Sequence, residues 1–335
     1  MSNITSTLVS ATGSMTYSPT AVLVTYVTEL LYKWWTVFGI VFGIPGNMMS
    51  LMITLKNDNR QISTCIYMAG LAFVDTGVLI FSEVLWKLLV GHGLGEGMYG
   101  SFALLSSLWY GAESLAVTSG LFLAEMSIDR AIAVMYPMKA STICTASRAV
   151  KLTICTCVLE MLLHLQTFFV LDTPVPPNGA LIRNFPQARW FETFYNIYLL
   201  ILATIIPFST IAICNLIILI SVNRAANQRK KMKLEAEKKG KIRETNLTAM
   251  LLMTSLAYLL CSCPKRIYES TVRQPDPNEP YWNALYWLGY WICTELWTVN
   301  FGINFYIYFL GGGNKFRRDA KLVLARCCGC VRHSK

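Results

Sequence analysis

Acidic and basic side chains lie inside long apolar stretches of this chain, where burial of a charge costs several kcal/mol and marks a group for function. Asp75 lies in the run Leu71-Ala72-Phe73-Val74-Asp75. The pair Asp129-Arg130 lies near the end of the apolar run 101–133. Glu83, Glu113 and Glu295 fall toward the opposite ends of their runs, as do Lys265 and Arg266. Glu125 and Glu160 also interrupt apolar sequence, and are expected to be neutral or bonded to nearby backbone and hydroxyls. Groups of this kind suit ion pairing that switches between states, and binding of a cation. They do not suit hydrolysis: Asp75 and Asp129 sit at different depths and cannot form a protease dyad. The three histidines, His92, His164 and His333, are too scattered for a metal cluster. No enzyme activity is expected.

The elements that must position these groups are helices. Seven apolar runs, at 34–55, 62–90, 101–133, 149–171, 193–222, 246–271 and 283–310, each exceed or approach the roughly 20 residues that cross hydrocarbon. Helices satisfy their own backbone in lipid, and no strand punctuation interrupts the runs. The expectation is an all-α membrane protein, a seven-transmembrane-helix bundle over 31–310. It is flanked by an extracellular segment, 1–30, and a cytoplasmic tail, 311–335. Only 14% of residues are charged, against about 25% in soluble proteins. The net charge of +10 does not point to nucleic acid, because of where it falls. Alternate loops and the C-terminal tail hold 22 of the 29 Lys and Arg, so these are cytoplasmic and the N-terminus is outside. Residues 224–243 are strongly basic, suited to anionic lipid and a cytoplasmic partner. No cysteine falls in an outer loop, so no extracellular disulfide is expected.

After Gly311-Gly312-Gly313, residues Phe316, Ala320, Val323 and Leu324 recur at helical spacing among Lys and Arg. This predicts an amphipathic helix on the inner leaflet. Cys327, Cys328 and Cys330 follow as candidate palmitoylation sites. Asn3 opens a glycosylation triplet, Asn3-Ile4-Thr5.

Several motifs in order resemble the rhodopsin-like (class A) G-protein-coupled receptors, and in particular invertebrate neuropeptide receptors. They are Gly46-Asn47; Leu71-Ala72 with Asp75; Asp129-Arg130 followed by Tyr136-Pro137; Pro207; Cys261-Ser262-Cys263-Pro264; and Asn304-Phe305-Tyr306-Ile307-Tyr308. Ala131, Ser262 and Phe305 depart from the family pattern. The resemblance implies a plasma-membrane receptor that passes binding of an extracellular ligand to a heterotrimeric G protein, with arrestin as a further partner. Asp129, Arg130, Glu244, Pro264, Asn304 and Tyr308 would form its switch, with Arg130 held by Glu244 in the resting state. Asn47, Asp75, Ser119, Asn300 and Asn304 would form a polar network, and a sodium ion at Asp75 is the one cofactor candidate. Thr298 stands where a retinal lysine would be, and Ala112 where an amine-binding Asp would be, which leaves a peptide as the preferred ligand. Glu83, Trp109, Glu113, Lys265, Tyr268, Trp291 and Glu295 are the candidate ligand-binding residues, the acids being placed to receive a cationic side chain. Lys265 and Arg266 could instead neutralise them internally. A non-signalling scaffold or decoy is the alternative, and a transporter or channel a more distant one, since no internal repeat is present.

Overall fold

The computed structural model describes residues 19–91, 102–166, 168, 197–232, 238–272, 279–311 and 313–327. The first span is a long helix, α1 (Pro19–Thr54). It starts well before residue 34, because the Val- and Leu-rich stretch from Pro19 continues the helix outward. The second is α2 (Ser63–Leu79), which continues in wide π turns through Ile80–Gly91. The third is α3 (Phe102–Met135), followed by a short loop helix, α4 (Pro137–Ile143). The fourth span is α5 (Ala146–His164), with Thr145 as its N-cap. The fifth is α6 (Ile206–Met232), entered through wide turns at Leu199–Ile205. The sixth and seventh are α7 (Lys238–Thr271) and α8 (Pro280–Gly311), and α9 (Gly313–Cys327) follows.

Among the described residues, two of the three wide-turn segments have a cause in the sequence. Pro45 and Pro207 lack the N–H that would bond the carbonyl four residues earlier, and the turn just before each relaxes to π geometry. Pro264 lies inside α7 without ending it.

By length and hydropathy alone, three helices among the described residues qualify as spans: Pro19–Thr54, Ser63–Lys87 and Leu200–Arg224. The remaining four carry too much charge or polarity for that criterion, and most of it points inward. Glu113, Glu160, Lys265, Glu295, Asn300 and Asn304 are all buried. The lipid-facing residues are apolar instead: Leu162, Ile213, Leu256 and Leu260 are each more than half exposed. An apolar rim around a polar interior is the inverse of a soluble fold, and it is what a bilayer selects.

One continuous core runs through the bundle, from Leu71, Val74 and Leu79 of α2 through Phe122 and Met126 of α3 to Trp297, Phe301 and Tyr308 of α8. Span seven touches span one through glycine. A Cβ on Gly302 would stand 3.0 Å from the Gly43 Cα, so the two backbones meet directly. One residue away, Asn47 donates from Nδ2 to the Phe301 carbonyl at 2.7 Å. Helix α9 docks under the bundle by burying Phe316 and Ala320, while Leu322 and Leu324 remain exposed, as suits a helix lying along a membrane surface. Lys56 and Asn59 of the first loop bond the Asp319 carboxylate at 2.8 and 3.5 Å and anchor α9.

Candidate functional site

The polar interior falls into three levels. At the expected outer end, the wide turns of α2 bring Glu83 and Lys87 toward spans one and seven. Gly39 of α1 leaves the room: a Cβ there would meet the Glu83 Cγ at 3.2 Å. The Lys87 ammonium lies 2.9 Å from Glu83 Oε1, and 2.7 and 2.8 Å from the two oxygens of Glu295. The rings of Tyr32 and Trp291 flank it at 5.3 and 5.9 Å. All three charged residues are buried. Breaking one partner out of such a cluster costs roughly 3–5 kcal/mol, because the others are left uncompensated.

A second cluster stands across the bundle. Lys265 lies 3.6 Å from Glu113 and 3.9 Å from Glu269, with its ammonium 3.5 Å from the Trp297 ring centre. Arg266 lies 3.7 Å from Glu113 and 3.1 Å from Glu269. The two clusters share a cavity lined by Glu83, Lys87, Trp109, Glu113, Lys265, Trp291 and Trp297, among others. Only ≈ 80 Å³ of it is open to water-sized molecules, room for a few waters. Together the clusters set four carboxylates against three cations.

The structure thus brings five of the seven expected ligand-binding residues to this cavity, Glu83, Trp109, Glu113, Lys265 and Trp291, and Glu295 joins them through its ion pair with Lys87. Tyr268 is apart from them. Its hydroxyl donates to the Tyr286 carbonyl at 2.8 Å, closing α7 on α8. The three acids expected to receive a ligand cation have internal partners, the alternative the sequence left open. Each is already paired internally, Glu83 and Glu295 by Lys87, and Glu113 by Lys265 and Arg266. Sequence reasoning missed Lys87, Tyr32 and Glu269. For Lys87 a signal existed: Glu83 and Lys87 are four residues apart, the spacing of a helical ion pair.

At mid-bundle, Asp75 accepts from Ser119 Oγ at 2.6 Å and from Asn304 Nδ2 at 2.7 Å. Asp75, Asn47, Ser119, Asn300 and Asn304 are all buried. The Asn47 and Asn304 side-chain oxygens are buried without a hydrogen-bond partner among the described residues. A fully buried carboxylate bonded by Ser119 and Asn304, with a spare oxygen on the Asn304 amide and no cation paired with it among the described residues, is a donor set that fits a sodium ion or ordered water.

At the inner end, Arg130 donates to Asp129 Oδ2 at 2.8 Å, and Ser63 Oγ of span two donates to the same oxygen at 2.9 Å. The Cys144 thiol caps the Asp129 carbonyl at 3.4 Å. The Arg130 side chain is only 16% exposed and does not face lipid, and its Nε is buried without an acceptor among the described residues. Glu244 lies on α7, but its side chain is outside the described residues. Asn3, Cys328 and Cys330 also lie outside them, as does the side chain of Cys327. Tyr308 is buried against Phe316 of α9.

The two remaining intramembrane acids are bonded, as expected for them. Thr156 donates to Glu125 at 2.5 Å, and Tyr198 donates to Glu160 at 2.6 Å with His164 3.2 Å away.

A seven-helix membrane bundle with an ion-paired outer pocket, a buried mid-membrane carboxylate and an Asp-Arg pair at its inner mouth defines a transmembrane receptor architecture. The family described as 7 transmembrane receptor (rhodopsin family) matches residues 46–301, and the chain belongs to that family. It is 28% identical over 299 residues to the FMRFamide receptor of Drosophila melanogaster, covering 84% of this chain and 52% of that protein. It is 24% identical over 231 residues to somatostatin receptor type 1 of Rattus norvegicus, covering 66% and 55%. A 143-residue stretch is 28% identical to the alpha-1A adrenergic receptor of Rattus norvegicus, covering 42% and 30%. The chain spans about half the length of the first of these relatives, or less. It is a multi-pass membrane protein and resembles invertebrate neuropeptide receptors, in a family that is not generally enzymatic.

Proposed function

We propose that the chain is a plasma-membrane receptor for a peptide bearing a cationic group, that the peptide binds between the Lys87 and Lys265 clusters, and that binding is passed to a heterotrimeric G protein. The observation that carries the ligand class is the charge balance of the two clusters, four carboxylates against three cations among the described residues. A ligand that brings one positive charge completes it. The aromatic walls, Trp86, Trp109, Tyr290 and Trp291, suit the apolar and aromatic side chains of a short peptide. The two peptide-receptor relatives support the same class.

Signal transfer rests on a two-state equilibrium biased from both faces. Arg130 carries a spare buried donor, and Glu244 stands on the facing helix α7 as its proposed resting partner. Release of that contact lets α7 move about Pro264 and open a cavity for the G protein, with arrestin as a competing occupant. Sodium at Asp75, held with Ser119 and the Asn47 and Asn304 oxygens, favours the resting state. The N-terminus is outside, Asn3 is glycosylated, and acyl chains on Cys327, Cys328 and Cys330 hold α9 to the inner leaflet.

The test is a screen of C-terminally amidated basic peptides on cells expressing the receptor, read by G-protein dissociation. The expected result is activation by peptides with Arg or Lys near the amide, lost when that residue is replaced by citrulline or norleucine. Equal potency of the uncharged peptides would overturn the ligand class.

A further inference from the structure

We propose that the chamber walled by Tyr32, Glu83, Trp291 and Glu295 is a cation-binding subsite, filled in the ligand-free receptor by the receptor's own Lys87, and that an ammonium or guanidinium group of the ligand enters it by exchange. The inference rests on the peptide-receptor function proposed above, and adds where the cation goes and what leaves.

The chamber is a complete site for a primary ammonium. Three carboxylate oxygens lie within 2.9 Å of the Lys87 nitrogen, one for each of its protons. Two aromatic faces close the remaining sides, and their rings meet edge to face at 4.9 Å. The walls come from spans one, two and seven, so the occupant ties three helices together. The chamber is also short of positive charge. One lysine serves two carboxylates, and Glu83 Oε2 is buried with no hydrogen-bond partner among the described residues, while Glu83 itself is 0% exposed.

The geometry favours exchange over addition. Lys87 lines the outer cavity, and its ammonium already takes the three carboxylate oxygens within 2.9 Å, so a second cation reaches them only by displacing it. Lys87 sits in the last wide turns of its helix, near the expected outer end, and its flexible stem can carry the charge out to water. One cation leaves and one arrives, so the buried charge is conserved. The Lys265 cluster is a poorer candidate: its ion pairs are longer, at 3.6 and 3.9 Å, and its ammonium lies directly on Trp297.

The experiment uses the purified full-length receptor and Lys87→Ala, which removes the ammonium and leaves its volume. Thermal unfolding is followed while n-butylammonium chloride is titrated, with n-butanol and potassium chloride as matched controls. Butylammonium should raise the unfolding midpoint of Lys87→Ala saturably and leave wild type unmoved. The half-saturating concentration should rise at least tenfold in Lys87→Ala/Glu295→Gln. If butylammonium acts on Lys87→Ala no differently from potassium chloride, the subsite is overturned. Should Lys87→Ala fail to reach the cell surface, surface expression becomes the readout. Rescue by butylammonium and not by butanol supports the chamber, and absence of rescue overturns it. Exchange is tested with an activating basic peptide, which should bind Lys87→Ala at least tenfold more tightly than wild type because no resident cation must be displaced. Equal affinities overturn exchange. The stability arm needs no peptide and no G protein. A chamber that takes butylammonium in a receptor that no peptide activates would therefore overturn the proposed function and leave the subsite standing.

Discussion

Replacing Gly302 by Ala strikes a point where two helix backbones meet directly. The added Cβ would stand 3.0 Å from the Gly43 Cα, which is backbone and cannot rotate away. Unstrained carbon contacts are about 3.5–4.0 Å. Spans one and seven must therefore part by roughly half an ångström or more. The Asn47 Nδ2 bond to the Phe301 carbonyl, now 2.7 Å, crosses the same seam and would lengthen past 3.2 Å, the usual limit for N–H to O. Overpacking of this kind costs about 1–3 kcal/mol, and a lost buried hydrogen bond about 1 kcal/mol more. The expected loss is about 2–4 kcal/mol. Gly311 supplies the contrast. Its Cβ would meet the Met253 methyl, the far end of a flexible side chain, so Gly311→Ala should cost about 1 kcal/mol or less. Thermal unfolding of both variants in the same detergent, followed by intrinsic tryptophan fluorescence, measures the difference. A Gly302→Ala midpoint equal to that of wild type, or a larger loss in Gly311→Ala, would refute the direct backbone contact.

Three further outcomes are expected. Asp75→Asn removes the anion that sodium would bind, so peptide affinity should fall with added sodium in wild type and stay flat in the variant. Competition binding in sodium against N-methylglucamine chloride decides it, and an unchanged sodium response would exclude the site. Burial alone would raise the Asp319 carboxyl, but hydrogen bonds from Lys56 and Asn59, with the Lys56 and Lys315 charges, hold it below its ordinary value. A lowered folded-state value means that the α9 anchor contributes at neutral pH and is lost as pH falls through that value, below about pH 4. Amide exchange of α9 should therefore rise in that acid range in wild type, while Asp319→Asn should exchange fast at every pH, and a flat wild-type profile would contradict the anchor. Desolvation and the neighbouring Asp129 raise the Cys144 thiol to about 11, so its alkylation rate should keep climbing well beyond pH 9. A plateau near pH 8.5 would show that the thiol does not sit against Asp129.

The helical bundle was legible because bilayer thickness fixes the length of apolar sequence that crosses it. The mid-membrane network was legible too. Asp75, Ser119 and Asn304 are polar residues in apolar runs, and a polar group in lipid must find others. The outer pocket was only half legible. Its acids stood out, but their partners did not. Lys87 lies near the end of a run, where lysines commonly snorkel to water, and nothing in the residues around it says that wide π turns aim it inward instead. Tyr32 escaped because the apolar run was begun at residue 34, whereas the helix starts at Pro19. Glu269 lies beyond Lys265 and Arg266 on an exposed turn, and only the fold shows that it shares their charge.

The central claim is that Arg130, half-hidden at the inner mouth, converts occupancy of the outer pocket into G-protein activation. The most direct measurement is nucleotide exchange on a purified heterotrimeric G protein by the receptor in lipid nanodiscs, with and without an activating peptide, for wild type and Arg130→Ala. The account predicts peptide-stimulated exchange by wild type, and a variant that binds the peptide but does not accelerate exchange. Stimulation by Arg130→Ala equal to wild type, or a peptide-bound wild type silent on every G-protein subtype, would contradict it.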